Sequence, residues 1–260
     1  MGSSKCQFIF RIALVLVIGV ALAAASLAPG ILPNEDIKCI KDEFFIQTEG
    51  INDYFATHPI MQDAFMIFCG LCMDVTMVVG LVVFAIHGKT WRLPITLAMF
   101  YFLRFFIQKT FLMRFPEGYL WRYPGFPSLV VPYGQTNDFF YSGHVGGALI
   151  MTLEYRTLAT ELSNHKMMMR AMQIFGFLTI ISQIFLMIFL RGHYSIDMIT
   201  GLIVGHYFYI IACLWAPSFD SMCCKMRKNP EADKLIDRSK GDSETWGSGA
   251  HNQKSQIRPN

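Results

Sequence analysis

Long apolar runs broken by short polar loops organise this chain of 260 residues. They recur as near-continuous stretches, without polar faces alternating through them, which is the pattern of helices solvated by lipid. Six runs predict spans at about 8–28, 63–86, 93–113, 140–160, 171–190 and 195–216. Most approach ~20 residues, the length that crosses a hydrocarbon core of about 30 Å. From about 218 onward the chain is rich in Lys, Asp, Ser, Gly and Asn and has no apolar periodicity. This tail, 218–260, reads as disordered and cytoplasmic. The expected fold class is all-α: a polytopic membrane protein whose six-transmembrane-helix bundle occupies 1–217.

The first run has two readings. "RIALVLVIGVALAAASLAPG" joins a basic start to an apolar middle and an A-x-A at Ala21–Ala23, as a secretory signal does. Its apolar stretch is long for a signal and favours a retained anchor, and the later spans keep their orientation in both cases.

Loop charge sets that orientation. Lys and Arg gather in "HGKTWR" at 87–92, at Arg156, Lys166 and Arg170, and at Lys225, Arg227 and Lys228, all on one side of a six-span arrangement. The opposite 29–62 loop is acidic, with Glu35, Asp36, Asp42, Glu43, Glu49 and Asp53 against Lys38 and Lys41. Both termini are therefore expected in the cytosol, and the 114–139 loop and 191–194 turn in the lumen or exterior. The protein is expected to be multi-pass in an endomembrane (endoplasmic reticulum or Golgi) or the plasma membrane.

Composition narrows the classes further. With 53% apolar and 16% charged residues, the chain does not read as a soluble domain. It shows none of the basic polar surface of a nucleic-acid binder, so membrane lipids are the expected partners, with a homo-oligomer left open. The seven cysteines form no disulfide framework. Cys69 and Cys72 make a C-x-x-C inside an apolar run, where helix packing is a plainer reading than redox chemistry. Cys223 and Cys224, followed by Lys225, suit S-palmitoylation or are spare juxtamembrane cysteines. "MGSSKC" has Cys6 where a myristoylation signal wants Ser or Thr. Asp74 and Arg104 fall at similar depth on adjacent spans, where charge is expensive unless paired. Either the two form an ion pair, or Arg104 reaches a substrate phosphate.

Two polar clusters carry candidate chemistry. "NDFFYSGHVGG", 137–147, opens the fourth span. Ser142 is a candidate N-cap, which turns the amides of Gly143 and His144 toward an anion at the positive end of a helix. "FLRGHYSIDMITG", 189–201, puts Arg191, His193 and Asp197 at the start of the sixth span. Four residues apart on a helix, Asp197 can bond the His193 ring and fix its tautomer, and Arg191 offers a fork of donors suited to phosphate oxygens. Span four runs inward and span five returns outward, so His144 and His193, 49 positions apart, land on one membrane face. Each piece alone has a bland reading as an interfacial histidine, a surface pair or a cap. Their convergence points to a phosphate-handling site.

"YSGH" followed by "RGHYSID" resembles the second and third motifs of the lipid phosphatase/phosphotransferase (PAP2) superfamily. The wording is similar to its sphingomyelin synthase branch and to the plant phosphatidylcholine:diacylglycerol cholinephosphotransferases. The resemblance runs from about Leu97 to Trp215 and takes in Arg104 and the Pro-rich "RFPEGYLWRYPGFPSLVVPYG". The first phosphatase motif, K-x6-R-P, is not present, and neither is the D-G-x-x-A-R signature of nucleotide-dependent head-group transferases.

The resemblance implies a PAP2-like bundle and a phosphotransferase without cofactor or metal. His193 would attack the donor phosphate to give a phosphohistidine, with Asp197 orienting the ring. His144 would protonate the departing diacylglycerol oxygen and deprotonate the acceptor. Arg191, Arg104, Ser142 and Gly143 would bind the phosphate, and Tyr141, Tyr194 and Asp138 would contact the head group. Phosphocholine would pass from phosphatidylcholine to diacylglycerol or ceramide. Aromatics from Tyr119 to Tyr141 suit a cation–π cage or, for most of them, an ordinary interfacial belt. The rival readings are a phosphatase or phospholipase C-type hydrolase, active without an acceptor lipid, and a catalytically silent lipid-binding or scaffold protein.

Overall fold

In a computed structural model the described residues are 8–17, 19–20, 40, 42–111, 113–134 and 139–226, with side chains as far as 221. All regular structure among them is helical. The helices are α1 (Phe8–Val17), α2 (Glu43–Gln47), α3 (Glu49–Thr57), α4 (Pro59–His87), α5 (Arg92–Thr110), α6 (Gly143–Glu161), α7 (Lys166–Phe189) and α8 (Ser195–Met226), with a 3-10 turn at Ser163–His165. Residues Met1–Ala216 form one compact unit and Pro217–Asn260 a second, of which only the end of α8 is described. The rest of the polar tail, the end of the first apolar run and Asp138 lie outside the described residues.

Among the described residues, three helices are long and apolar enough to cross a membrane: Pro59–His87, Ser163–Phe189 and Ser195–Ser221. Helices α5 and α6 have 19 residues each, about 28 Å at the usual rise. α6 carries Glu154, Arg156 and Glu161 within that length. The faces turned outward are apolar, with Phe102, Ile174, Ile203 and Leu214 each more than 60% exposed, as a lipid-solvated surface requires.

The helix ends differ from the sequence expectation where local chemistry outranks hydropathy. α4 begins at Pro59, which tolerates the first helical position because its missing N–H has no intrahelical acceptor there. α8 continues past 216 to Met226. The described part of the acidic segment before α4, read as a loop, folds into α2 and α3, with Asp42 capping α2 by accepting the Phe44 N–H at 3.0 Å.

α6 is the centre of the unit, packed against α4, α5 and α7. A methyl group on Gly147 would stand 3.3 Å from the end of Met73, and one on Gly176 would strike the Thr152 hydroxyl. These contacts set the heights of the helices. The first turn of α6 is level with about residue 69 of α4, roughly 15 Å below Pro59 at 1.5 Å per residue. The Ser142–His144 end of α6 is thus recessed in the bundle.

Glycines bring α8 against α6. A methyl on Gly146 would lie 2.8 Å from the Gly201 carbonyl oxygen, and one on Gly205 3.1 Å from the Gly146 carbonyl oxygen. A backbone bond from the Ser142 N–H to the Asp197 carbonyl, 2.8 Å, ties the two helix starts together.

Candidate active site

The α6 and α8 starts carry the two histidines. Ser142 is the N-cap of α6, its hydroxyl accepting the Val145 N–H at 3.4 Å. At α8, Asp197 sits in the first turn and its Oδ2 accepts the Tyr194 N–H at 3.0 Å. The same Oδ2 lies 3.3 Å from Nδ1 of His193. His193 and Asp197 are 3% and 0% exposed, and within such a pair the proton belongs on Nδ1, between ring and carboxylate.

The rings of His144 and His193 are 6.0 Å apart at their centroids and inclined at 68°. His144 is buried, and neither of its ring nitrogens has a hydrogen-bond partner; Oδ1 of Asp197 has none either. Buried polar atoms are normally satisfied, so these unpaired atoms set the histidine pair apart from an ordinary packed core. Trp121 stands edge-on to His144 at 5.5 Å, and Phe139 to His193 at 6.1 Å. Tyr119, Trp121, Pro132, Gly134, Met187 and Gly192 close a cavity of about 20 Å3 over the pair. That is room for about one water, so a larger group enters by displacing part of the lining.

The phosphate-binding candidates divide. The Arg104 guanidinium lies over Gly143, where a methyl group would come within 2.8 Å of its Cζ, so it stands at the N-terminal end of α6. Asp74 is not its partner: that carboxylate is taken by Ser128, Leu129 and Val130. Arg191 has backbone partners of its own. It occupies the left-handed region, φ 54°, where α7 ends. The Gly192 N–H reaches back to the Met187 carbonyl at 2.9 Å, the bond that closes such a helix end. The Arg191 guanidinium donates to the carbonyls of Glu117 and Phe45 and lies over the Phe45 ring, while Nε has no partner.

Both expected tyrosines donate their hydroxyls to backbone carbonyls. Tyr141 donates to the Phe100 carbonyl and Tyr194 to that of Arg114, at 3.1 Å for the latter. Burial pushes the Tyr119 hydroxyl well up, and burial with the nearby Asp74 pushes Tyr133 up to about 12. Both phenols therefore stay neutral across the physiological range.

Three supporting residues escaped the sequence reading. Asp42 accepts the Ser195 N–H at 2.6 Å and so caps α8 across 153 positions of sequence. Asn52 donates to the carbonyls of Gly118 and Phe189, and Gln62 to that of Leu120. The only local signal was Asp42 before "EFFIQ", which announces a helix start but not a second helix to cap.

No curated protein and no solved structure matches the chain. The family described as AtPDCT1/2 matches residues 41–214, a stretch that contains every element of the site. The chain belongs to that family, the phosphatidylcholine:diacylglycerol cholinephosphotransferases.

Proposed function

We propose that this protein exchanges phosphocholine between phosphatidylcholine and diacylglycerol through a phosphohistidine on His193. The observation that carries the reading is the His193–Asp197 pair facing a buried, unpartnered His144 at 6.0 Å. With its proton on Nδ1 toward Asp197, His193 attacks phosphorus through the Nε2 lone pair. The P–N bond forms as the bond from phosphorus to the diacylglycerol oxygen breaks. His144 gives that oxygen its proton, and diacylglycerol leaves. A second diacylglycerol then surrenders its hydroxyl proton to His144 and attacks phosphorus, releasing His193. Arg104 and the first amides of α6 face the equatorial oxygens, whose charge they stabilise. Donor and product are both phosphodiesters, so the exchange is reversible and needs no nucleotide.

In this reading α1 and α4 to α8 are six spans of a PAP2-like bundle, with both termini in the cytosol. The histidines open on the lumenal or exterior side, and 218–260 forms a cytosolic tail. The alternation of basic and acidic loops supports that arrangement.

The test is purified protein in mixed micelles with head-group-labelled phosphatidylcholine and a diacylglycerol of distinguishable acyl chains. Label is expected in phosphatidylcholine carrying the acceptor's chains, and on alkali-quenched protein in the absence of acceptor. His193→Asn is expected to abolish both. Label appearing only in water-soluble products overturns transfer in favour of hydrolysis.

A further inference from the structure

The segment between α5 and α6 enters the bundle as irregular backbone, and one side chain satisfies it there. Asp74, near the middle of α4 and 7% exposed, accepts the Ser128 hydroxyl at 2.6 Å, the Leu129 N–H at 3.0 Å and the Val130 N–H at 3.0 Å. Ser128 in turn accepts the Val131 N–H at 2.9 Å. Carboxylate and hydroxyl together therefore answer three consecutive backbone amides, a condition for non-helical chain at membrane depth. One turn earlier on α4, Gly70 admits the loop: a methyl there would come within 2.5 Å of the Tyr133 hydroxyl.

The residues immediately beyond this anchor cover the histidines. Pro132 and Gly134 line the cavity over His144 and His193, and the Tyr133 ring lies 5.7 Å from that of Trp121, which in turn meets His144. The near end of the segment is fixed separately, through Asn52 to Gly118, Gln62 to Leu120, and the Leu120 N–H to the Leu190 carbonyl at 2.9 Å. Asp74 is the attachment of the far end.

We infer that Asp74 is a positioning residue that sets the partition between lipid transfer and hydrolysis by holding the 128–134 loop over the histidine pair. This rests on the proposed phosphohistidine. A water admitted to that intermediate attacks phosphorus, gives its proton to His144 and breaks the P–N bond, releasing free phosphocholine in place of new phosphatidylcholine. A recessed, covered phosphorus yields only to an acceptor that arrives with its own apolar tails.

The experiment measures label in free phosphocholine against label in newly formed phosphatidylcholine, with hydrogen exchange of the 126–134 peptide read in parallel. Asp74→Ala is expected to raise the hydrolytic share about ten-fold or more and to speed exchange of amides 129–131. Asp74→Asn keeps one acceptor oxygen and is expected to fall between Ala and the wild type. Ser128→Ala, which leaves α4 intact, is expected to move both readouts in the same direction by less. Loss of transfer and hydrolysis in equal proportion, or unchanged exchange in Ser128→Ala and Asp74→Ala, overturns the proposal. A wild type that transfers no head group overturns the reaction itself, while the exchange measurement still reports separately whether Asp74 holds the loop.

Discussion

His144 is the residue whose environment is hardest to justify by stability alone. An imidazole buried without a partner for either nitrogen costs about 1–3 kcal/mol relative to a satisfied or apolar group. His144→Leu should therefore raise the thermal midpoint of the lipid-free protein in detergent while removing head-group exchange, a trade of activity for stability. Asp197→Asn keeps the shape but no longer holds the Nδ1 proton of His193 as a carboxylate does. Turnover should fall about 10²-fold or more, with little change in the apparent affinity for phosphatidylcholine, read from initial rates against lipid mole fraction. These residues were legible in the sequence because their chemistry is local: a Ser-Gly-His at a helix start, and a carboxylate four positions beyond a histidine. Arg191 was legible as a cation, but the contacts it makes were not. Its left-handed backbone and the carbonyls of Glu117 and Phe45 come from the end of α7, a loop and the short helix α2, which meet only after folding.

Helices α6 and α8 bring the histidines together because glycines let their backbones touch. Gly201 is the tightest point, where a methyl would lie 2.7 Å from the Ser142 carbonyl oxygen. That neighbour is backbone and cannot rotate aside. Gly201→Ala should push the start of α8 off the start of α6 and lengthen the bond from Ser142 to Asp197. Exchange activity is expected to drop at least ten-fold, because small displacements of reacting groups are costly, with far-ultraviolet circular dichroism showing the helices intact. Gly50, with nothing near it, provides the matched control: Gly50→Ala should leave activity unchanged. The apolar runs announced α4, α7 and α8 but not where they end. Pro59 and the capping bonds settle the ends, and α2 and α3 are too short and too acidic for a hydropathy pattern to reveal.

Across the helical unit, the histidine pair at one end of α6 is matched by a buried charge cluster toward the other. Arg92, at the start of α5, holds Glu154 through two bonds of 2.9 Å and Glu161 at 3.1 Å, with the Tyr209 hydroxyl 3.3 Å from Glu154. Arg92 and Glu154 are 7% and 4% exposed, so removing Glu154 leaves the buried guanidinium with only the partly exposed Glu161 as its carboxylate. Glu154→Leu should cost about 3–5 kcal/mol, whereas Arg92→Met combined with Glu154→Leu should cost less than Glu154→Leu alone; thermal unfolding in micelles measures both. The sequence by itself determined that this is a helical chain with runs long and apolar enough to cross a membrane and with two histidine clusters, since apolar run length and residue type are properties of neighbours along the chain. Only the tertiary structure decided that the histidine rings stand 6.0 Å apart and that Asp74 holds a loop and not Arg104. It also decided that Asp42 caps a helix 153 positions away. Distances between remote residues depend on how helices pack, and packing depends on the small residues, carbonyls and caps that a pattern of apolar and polar positions does not record.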